Sequence, residues 1–226
     1  MQITVARPRT VLIPAGVFRM GDDAGRPDER PAHDVFVSAF EMALVPTTNA
    51  DYARFLEGTG HAPPRFWHDP RFNAPAQPVV GVTWADAVAY CAWLASLTGE
   101  PWRLPTEAER EKAARGGVAG ADYPAGETDL RFEQDAPFEV GRSRPNGYGL
   151  YDMAYNVHEW CADWYDPAYY AHSLARDPQG PPSGTRRSSR GGAWRHQVKL
   201  NRCAARSAIP PDFQYNDYGF RVVRSV

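Results

Sequence analysis

The chain has 226 residues, 43% hydrophobic, 12% aromatic and 23% charged, which fits one large globular domain spanning residues 1–226 with a sizeable core. Its 25 basic and 27 acidic side chains leave a net charge of −2, a balance that excludes a bulk nucleic-acid binder. No apolar run approaches the ~20 residues needed to cross a bilayer, and Arg7, Pro8 and Arg9 follow Met1 to Val5 too soon for a leader's apolar stretch, so a cytoplasmic protein without a membrane partner is expected.

Glycine and proline number 19 and 21 and lie along the whole chain, so loops take a large share of it. Val11 to Pro14 and Val17 to Met20 read as short strands on either side of the Ala15-Gly16 turn, and Asp34 to Phe40 alternates polar with apolar as a half-buried strand does. Thr47-Thr48-Asn49 can cap a short helix whose Tyr52, Phe55 and Leu56 share a face. Thr83 caps a longer one over residues 84–97, with Ala87, Val88, Cys91, Leu94 and Ala95 inward and Thr98-Gly99 at its end. Thr106 begins a third, opened by a capping box with Glu109, closed by Ala113-Ala114-Arg115 and ended by Gly116-Gly117. From residue 118 the helical signals stop and short aromatic and β-branched runs take over, finishing in a strand at Phe220 to Val223. Helices early and broken strands late make this α+β with an irregular, loop-heavy half.

Cys91, Cys161 and Cys203 form no C-x-x-C pair and are too few for a disulfide framework. The six histidines include no H-E-x-x-H, and neither a phosphate-binding glycine loop nor a G-x-S-x-G nucleophile turn is present. His196 has no ligand partner at a recognisable spacing, and His158 reads as a hydrogen-bonded core or rim residue.

Nine strings then occur in order: Ile13 to Gly21, Thr48 to Phe55, Pro78 to Trp84, Arg103 to Glu109, Ala113 to Gly117, Pro145-Asn146 with Gly149 to Met153, Asn156-Val157 with Glu159-Trp160, Arg190 to Trp194, and Gly219 to Arg221. With them the chain resembles the formylglycine-generating-enzyme/sulfatase-modifying-factor (FGE-sulfatase) domain family, over roughly residues 11–224. The resemblance implies a variant of the C-type lectin-like fold. It does not by itself choose a function, because the domain hosts several.

The enzymes of that family hold Cu(I) on two cysteine thiolates and oxidise a cysteine of a client sulfatase, and soft Cu(I) needs the pair together. The matching interval here, Arg195 to Cys203, is shorter and carries one cysteine. No catalytic residue and no copper are therefore expected, and the chain reads as a ligand- or protein-binding module. The alternative is a formylglycine-generating oxidoreductase with a non-standard site. The resemblance also implies a structural calcium ion on the side chains of Asp152 and Glu159 and the carbonyls of Tyr155 and Val157, a donor set that suits Ca2+. Glycine is usual where Tyr155 stands, and a β-carbon there opposes the backbone angle required.

The expected ligand-binding face lies on the two segments flanking the last motifs. It comprises Trp194, Arg195, His196, Lys199 and Asn201 with Phe213, Tyr215, Asn216 and Asp217, residue types that loops on a rigid frame use for recognition. The partner expected there is a protein or a small molecule. In the variable binding proteins of diversity-generating retroelements, which share the domain, this region is the ligand face. Arg202 and Arg206 have a second reading as structural residues, stacked on Trp194 or paired with Asp163 or Asp217.

Overall fold

The computed structural model describes residues 7–126 and 135–226, so the Met1 to Val5 reading lies outside it. In chain order its main elements are β1 (Thr10–Ile13), β2 (Gly16–Met20), β3 (His33–Val37), β4 (Phe40–Ala43), α1 (Asn49–Thr59), α2 (Trp84–Thr98), β5 (Trp102–Arg103), α3 (Glu107–Arg115), β6 (His158–Trp164), β7 (Arg187–Arg190), β8 (Ser207–Ile209), β9 (Tyr218–Gly219) and β10 (Val223–Ser225). They form sheets ordered β1-β4-β10-β5, β2-β3 and β8-β7-β6-β9, the mixed α+β architecture expected. No helix among the described residues is long and apolar enough to cross a membrane.

Local chemistry sets the three helices. Thr48, Thr83 and Thr106 each accept from the amide three residues on, and Asp51, Asp86 and Glu109 each return to the threonine's own amide. Each such cap is worth about 1 kcal/mol. All three helices stop at a glycine in the left-handed region, Gly60, Gly99 and Gly116.

The strands depart from the sequence expectation in three places. β1 and β2, on either side of the Ala15-Gly16 turn, go to different sheets. The strand expected over Asp34 to Phe40 divides in two, because the Asp177 carboxylate takes the Ser38 amide (2.6 Å) and hydroxyl (2.8 Å) and turns the chain there. The last strand begins at Val223, since the carbonyls of Phe220 and Val222 are engaged by the amides of Thr47 and Ala43.

Two kinds of interior result. Around α1 and α2, Tyr52, Phe55, Tyr90, Trp93, Trp102, Trp160 and Phe220 form one aromatic cluster. Several of its rings meet edge to face, Tyr52–Phe55 at 5.1 Å, Tyr90–Phe220 at 5.2 Å and Phe55–Trp93 at 5.6 Å, while Tyr52 and Tyr90 stack at 5.9 Å. Val88, expected inward, is exposed; Tyr90 and Trp93 fill the core instead.

The other interior sets buried charge beside a second apolar cluster, in which Ile13, Val35, Phe40 and Met42 pack with Ala108, Ala113 and Ala114 of α3. All nine residues of α3 are buried, six of them charged. Glu107 receives Arg206 (2.8 Å) and Arg190 (3.1 Å), and Glu111 receives Arg115 (2.6 Å) and Arg190 (2.9 Å). Burial pushes the Glu107 carboxyl up, but Arg206 and Arg190 outweigh it and hold it at about 2. Beside it, burial and the Glu107 charge push Asp163 up to about 8, so Asp163 is largely protonated at neutral pH. Lys112 donates to the carbonyls of Pro14, Gly16 and Val37, pinning the turn between β1 and β2 to α3.

Candidate functional site

β6 and β9 run parallel with His158 opposite Tyr218, and this register builds the site. The two rings stack at 4.6 Å. From Tyr218 the contacts continue outward to Tyr215 (6.0 Å) and Phe213 (5.7 Å), and from His158 sideways to His196 (4.8 Å). A continuous run of rings therefore joins the two segments flagged in the sequence. The loop carrying Phe213 and Tyr215 is held by main-chain bonds, Trp84 N–H to Pro211 O (2.9 Å) and Gly81 N–H to Tyr215 O (3.0 Å).

A hydrogen-bonded chain lies beneath the rings. Arg195 Nε donates to Asp217 Oδ2 at 2.8 Å, His196 Nε2 lies 3.4 Å from the same oxygen, and His196 Nδ1 is 3.1 Å from His158 Nε2. Burial lowers the pKa of His158 well below its ordinary value, with His196 and Arg195 adding to the effect. Burial also lowers that of His196, against the pull of Asp217. Both shifts favour the neutral imidazole, and the facing nitrogens, 3.1 Å apart, are within hydrogen-bond reach of each other. The pair is 38 residues apart in sequence, so no local spacing signals it. His158 Nδ1 and Asp217 Oδ1 are buried without hydrogen-bond partners, as is Trp194 Nε1 nearby on the same loop.

The nine residues expected on the ligand face divide by exposure. Arg195, Lys199, Phe213 and Tyr215 are exposed, while Trp194, His196 and Asn216 are half-buried at the rim. Asp217 is buried and acts as the anchor for Arg195 and His196, and its carbonyl accepts from the His158 amide. Asn201 is a correction. It is buried, donates to Gln197 O (3.0 Å) and accepts from Tyr155 N–H (2.9 Å), so it braces the loop from inside and offers nothing to a ligand. The structural reading of Arg202 and Arg206 is met with different partners: Arg202 pairs with Asp22 and Glu29, and Arg206 pairs with Glu107 and lies over Tyr165 and Tyr170.

The three cysteines are free and buried. Burial pushes the Cys91 and Cys203 thiols up to about 12 and raises Cys161 well above the ordinary thiol range. All three stay protonated at neutral pH, the inert state of a cysteine. A separate open groove of about 750 Å3 lies between Arg26, Arg30, Tyr165, Arg186 and Arg206, but Arg26 and Arg206 are already committed to Asp28, Glu29 and Glu107.

The expected ion loop is formed differently from its sequence reading. Tyr155 adopts φ 69° and Asp152 φ 54°, so the β-carbon at Tyr155 does not prevent the left-handed turn. The carboxylates have protein donors. Asp152 accepts from the amides of Gly141 and Ser143. Glu159, fully buried, lies between Arg110 (2.7 Å) and Arg221 (3.0 Å). Among the described residues no three His, Cys, Asp or Glu side chains converge to hold a metal. This donor set does not fit calcium, because the carboxylate meant for the ion already faces two guanidiniums. The residue that sequence reasoning missed is Arg110, which lies between the matching strings Arg103 to Glu109 and Ala113 to Gly117.

Comparison with known proteins places this geometry. The family profile described as the sulfatase-modifying factor enzyme 1-like domain (FGE-sulfatase) matches residues 2–226. The serine/threonine-protein kinase pkn1 of Chlamydia pneumoniae is 38% identical over 239 residues, which cover 96% of this chain and 38% of the kinase. The chain thus spans 38% of the length of that curated relative. The formylglycine-generating enzyme of Streptomyces coelicolor is 35% identical over 289 residues, covering 96% of this chain and 90% of the enzyme. Among solved structures, Treponema denticola variable protein 1 superposes with a TM-score of 0.84 at 25% identity, over 95% of this chain and 94% of that one.

Proposed function

The chain belongs to the sulfatase-modifying factor enzyme 1-like (FGE-sulfatase) family, and from that premise we propose that it is a binding module of the family, taking a protein or small-molecule ligand on the face built by residues 195–218. The observation that carries the reading is the state of the sulfur atoms. The interval between Arg190 and Arg206 holds Cys203 alone, and that thiol is buried and pushed up to about 12. Copper chemistry on sulfur needs a pair of thiolates. What residues 195–218 present to solvent includes Arg195, Gln197, Lys199, Phe213 and Tyr215 on an internally braced frame, a composition suited to recognition.

Likeness to Treponema denticola variable protein 1 supports a retroelement-type variable binding protein as the specific form of this reading. The match to part of a protein named as a kinase supports the coarser form, an accessory recognition unit. Peptides selected against the wild-type protein from a random displayed library test the location of the site. They are expected to lose binding at least tenfold to Arg195→Ala combined with Phe213→Ala. Full retention by the folded double variant would place recognition elsewhere.

Likeness to the Streptomyces coelicolor enzyme supports a second reading, a formylglycine-generating oxidoreductase with a non-standard site. Conversion of a Cys-x-Pro-x-Arg peptide to formylglycine by the purified chain would establish it.

A further inference from the structure

Arg110 sits on α3 with its side chain 1% exposed, and its guanidinium enters the loop that leads into β6. Nε donates to Glu159 Oε2 at 2.7 Å and Nη2 donates to the Met153 carbonyl at 2.9 Å. Gly191 marks how closely the cage is drawn. A β-carbon placed there would lie 2.9 Å from Arg110 Nη2, 3.3 Å from Met153 O and 3.4 Å from Val157 O, and the φ of +100° at Gly191 already disfavours any other residue. A guanidinium nitrogen, two main-chain carbonyls and the far end of a carboxylate therefore crowd one small volume. Two of those donors, the Val157 carbonyl and the Glu159 carboxylate, are the ones a calcium ion was expected to take.

Arg221 closes the cage from the opposite side. It donates to both Glu159 oxygens and to the carbonyls of Ala43, Leu44 and Tyr151. Two guanidiniums face the Glu159 carboxylate, so a divalent ion would enter against positive charge there, and the second expected carboxylate, Asp152, is already taken up by the amides of Gly141 and Ser143. Guanidinium keeps its proton at every physiological pH, and its planar fork matches carboxylate and carbonyl oxygens at hydrogen-bond distance.

We propose that Arg110 is a built-in cation that replaces calcium in this chain. It neutralises Glu159, satisfies the Met153 carbonyl and fixes residues 152–159. His158, the first residue of β6, is thereby held in place for the recognition face without any bound ion. That face is consequently indifferent to the free calcium of its surroundings.

The test compares wild type, Arg110→Ala and Arg110→Lys by thermal unfolding in millimolar calcium and in excess EGTA, with Tb3+ luminescence sensitised by the neighbouring Trp160 as a direct probe of ion binding. Wild type and Arg110→Lys are expected to melt at the same temperature in both conditions and to give no terbium signal. Arg110→Ala, with the cation removed and the oxygens left, is expected to bind Tb3+ and to rise in Tm by roughly 5–10 °C when calcium stands about a hundredfold above its Kd. Magnesium, which demands a tighter octahedral shell, should not replace it. An EGTA-induced fall in the wild-type Tm would overturn the proposal. So would an Arg110→Ala protein that binds no terbium, or one that stays unfolded even in calcium.

Discussion

α2 and α3 are built alike at their ends and enter the interior in opposite ways. Each starts from a threonine capping box and stops at a left-handed glycine. α2 then buries Tyr90, Cys91, Trp93 and Leu94 in the aromatic cluster, whereas α3 buries Glu107, Arg110, Glu111, Lys112 and Arg115. The aromatic half is held by non-directional burial, which tolerates changes of shape. The ionic half is held by directed pairs, in which each member is costly once its partner is gone. The recognition face rests on both: Tyr218 and Trp160 tie it to the aromatic half, and Glu159, through Arg110 of α3, ties it to the charged one.

The largest effect expected from this contrast is at Glu107. Glu107→Ala leaves Arg190 and Arg206 buried without their shared counter-charge and should cost about 3–5 kcal/mol in denaturant unfolding. If instead it costs no more than an ordinary surface change, the charged half is not what holds the fold. Asp163→Asn comes next and has the opposite sign. Its folded pKa of about 8 exceeds the ordinary 3.8, so the native state binds a proton that the unfolded state lacks, and stability declines as pH rises from about 4 to about 8. Asparagine retains an acceptor for the Glu107 amide that Asp163 now holds at 2.8 Å. The variant should be more stable at neutral pH by roughly 1–3 kcal/mol, with that slope removed.

Glu107 supplies the other limb of the pH profile. Its folded pKa of about 2 lies below the ordinary 4.5, so its contribution is complete above about 4.5 and is lost as pH falls toward 2. Unfolding free energies from pH 2 to 9 should therefore peak in the mildly acid range, and a flat profile would contradict both assignments. Phe55→Leu in the aromatic half should cost under about 1.5 kcal/mol, with the same loss at pH 5 and pH 8. The smallest effect belongs to Lys199→Ala. Its side chain is exposed, so stability should shift by no more than about 0.5 kcal/mol while ligand binding suffers.

The same contrast explains what was legible in the sequence. Caps, helix ends and the inward Tyr52 and Phe55 follow from spacings of two to four residues, which are local and legible. The family is legible for the same reason, because its strings are contiguous. The burial of α3 was not legible, since its counter-charges Arg190 and Arg206 lie 83 and 99 residues from Glu107. The His158–His196 contact and the hold of Arg110 on Glu159, 49 residues away, are long-range in the same sense. Residue type alone puts Asn201 on the face, because asparagine suits recognition loops, and the bond to the Tyr155 amide reveals its inward role.

Whether this chain grips a ligand or oxidises one turns on whether two of its sulfurs can act together. Cu(I) titration against a chromophoric competitor, with Cys203→Ser and Cys161→Ser alongside wild type, asks this directly. The account predicts that the folded protein withdraws no copper from the competitor and that all three proteins behave alike. Stoichiometric withdrawal by wild type that either substitution abolishes would show a working thiolate pair and contradict it.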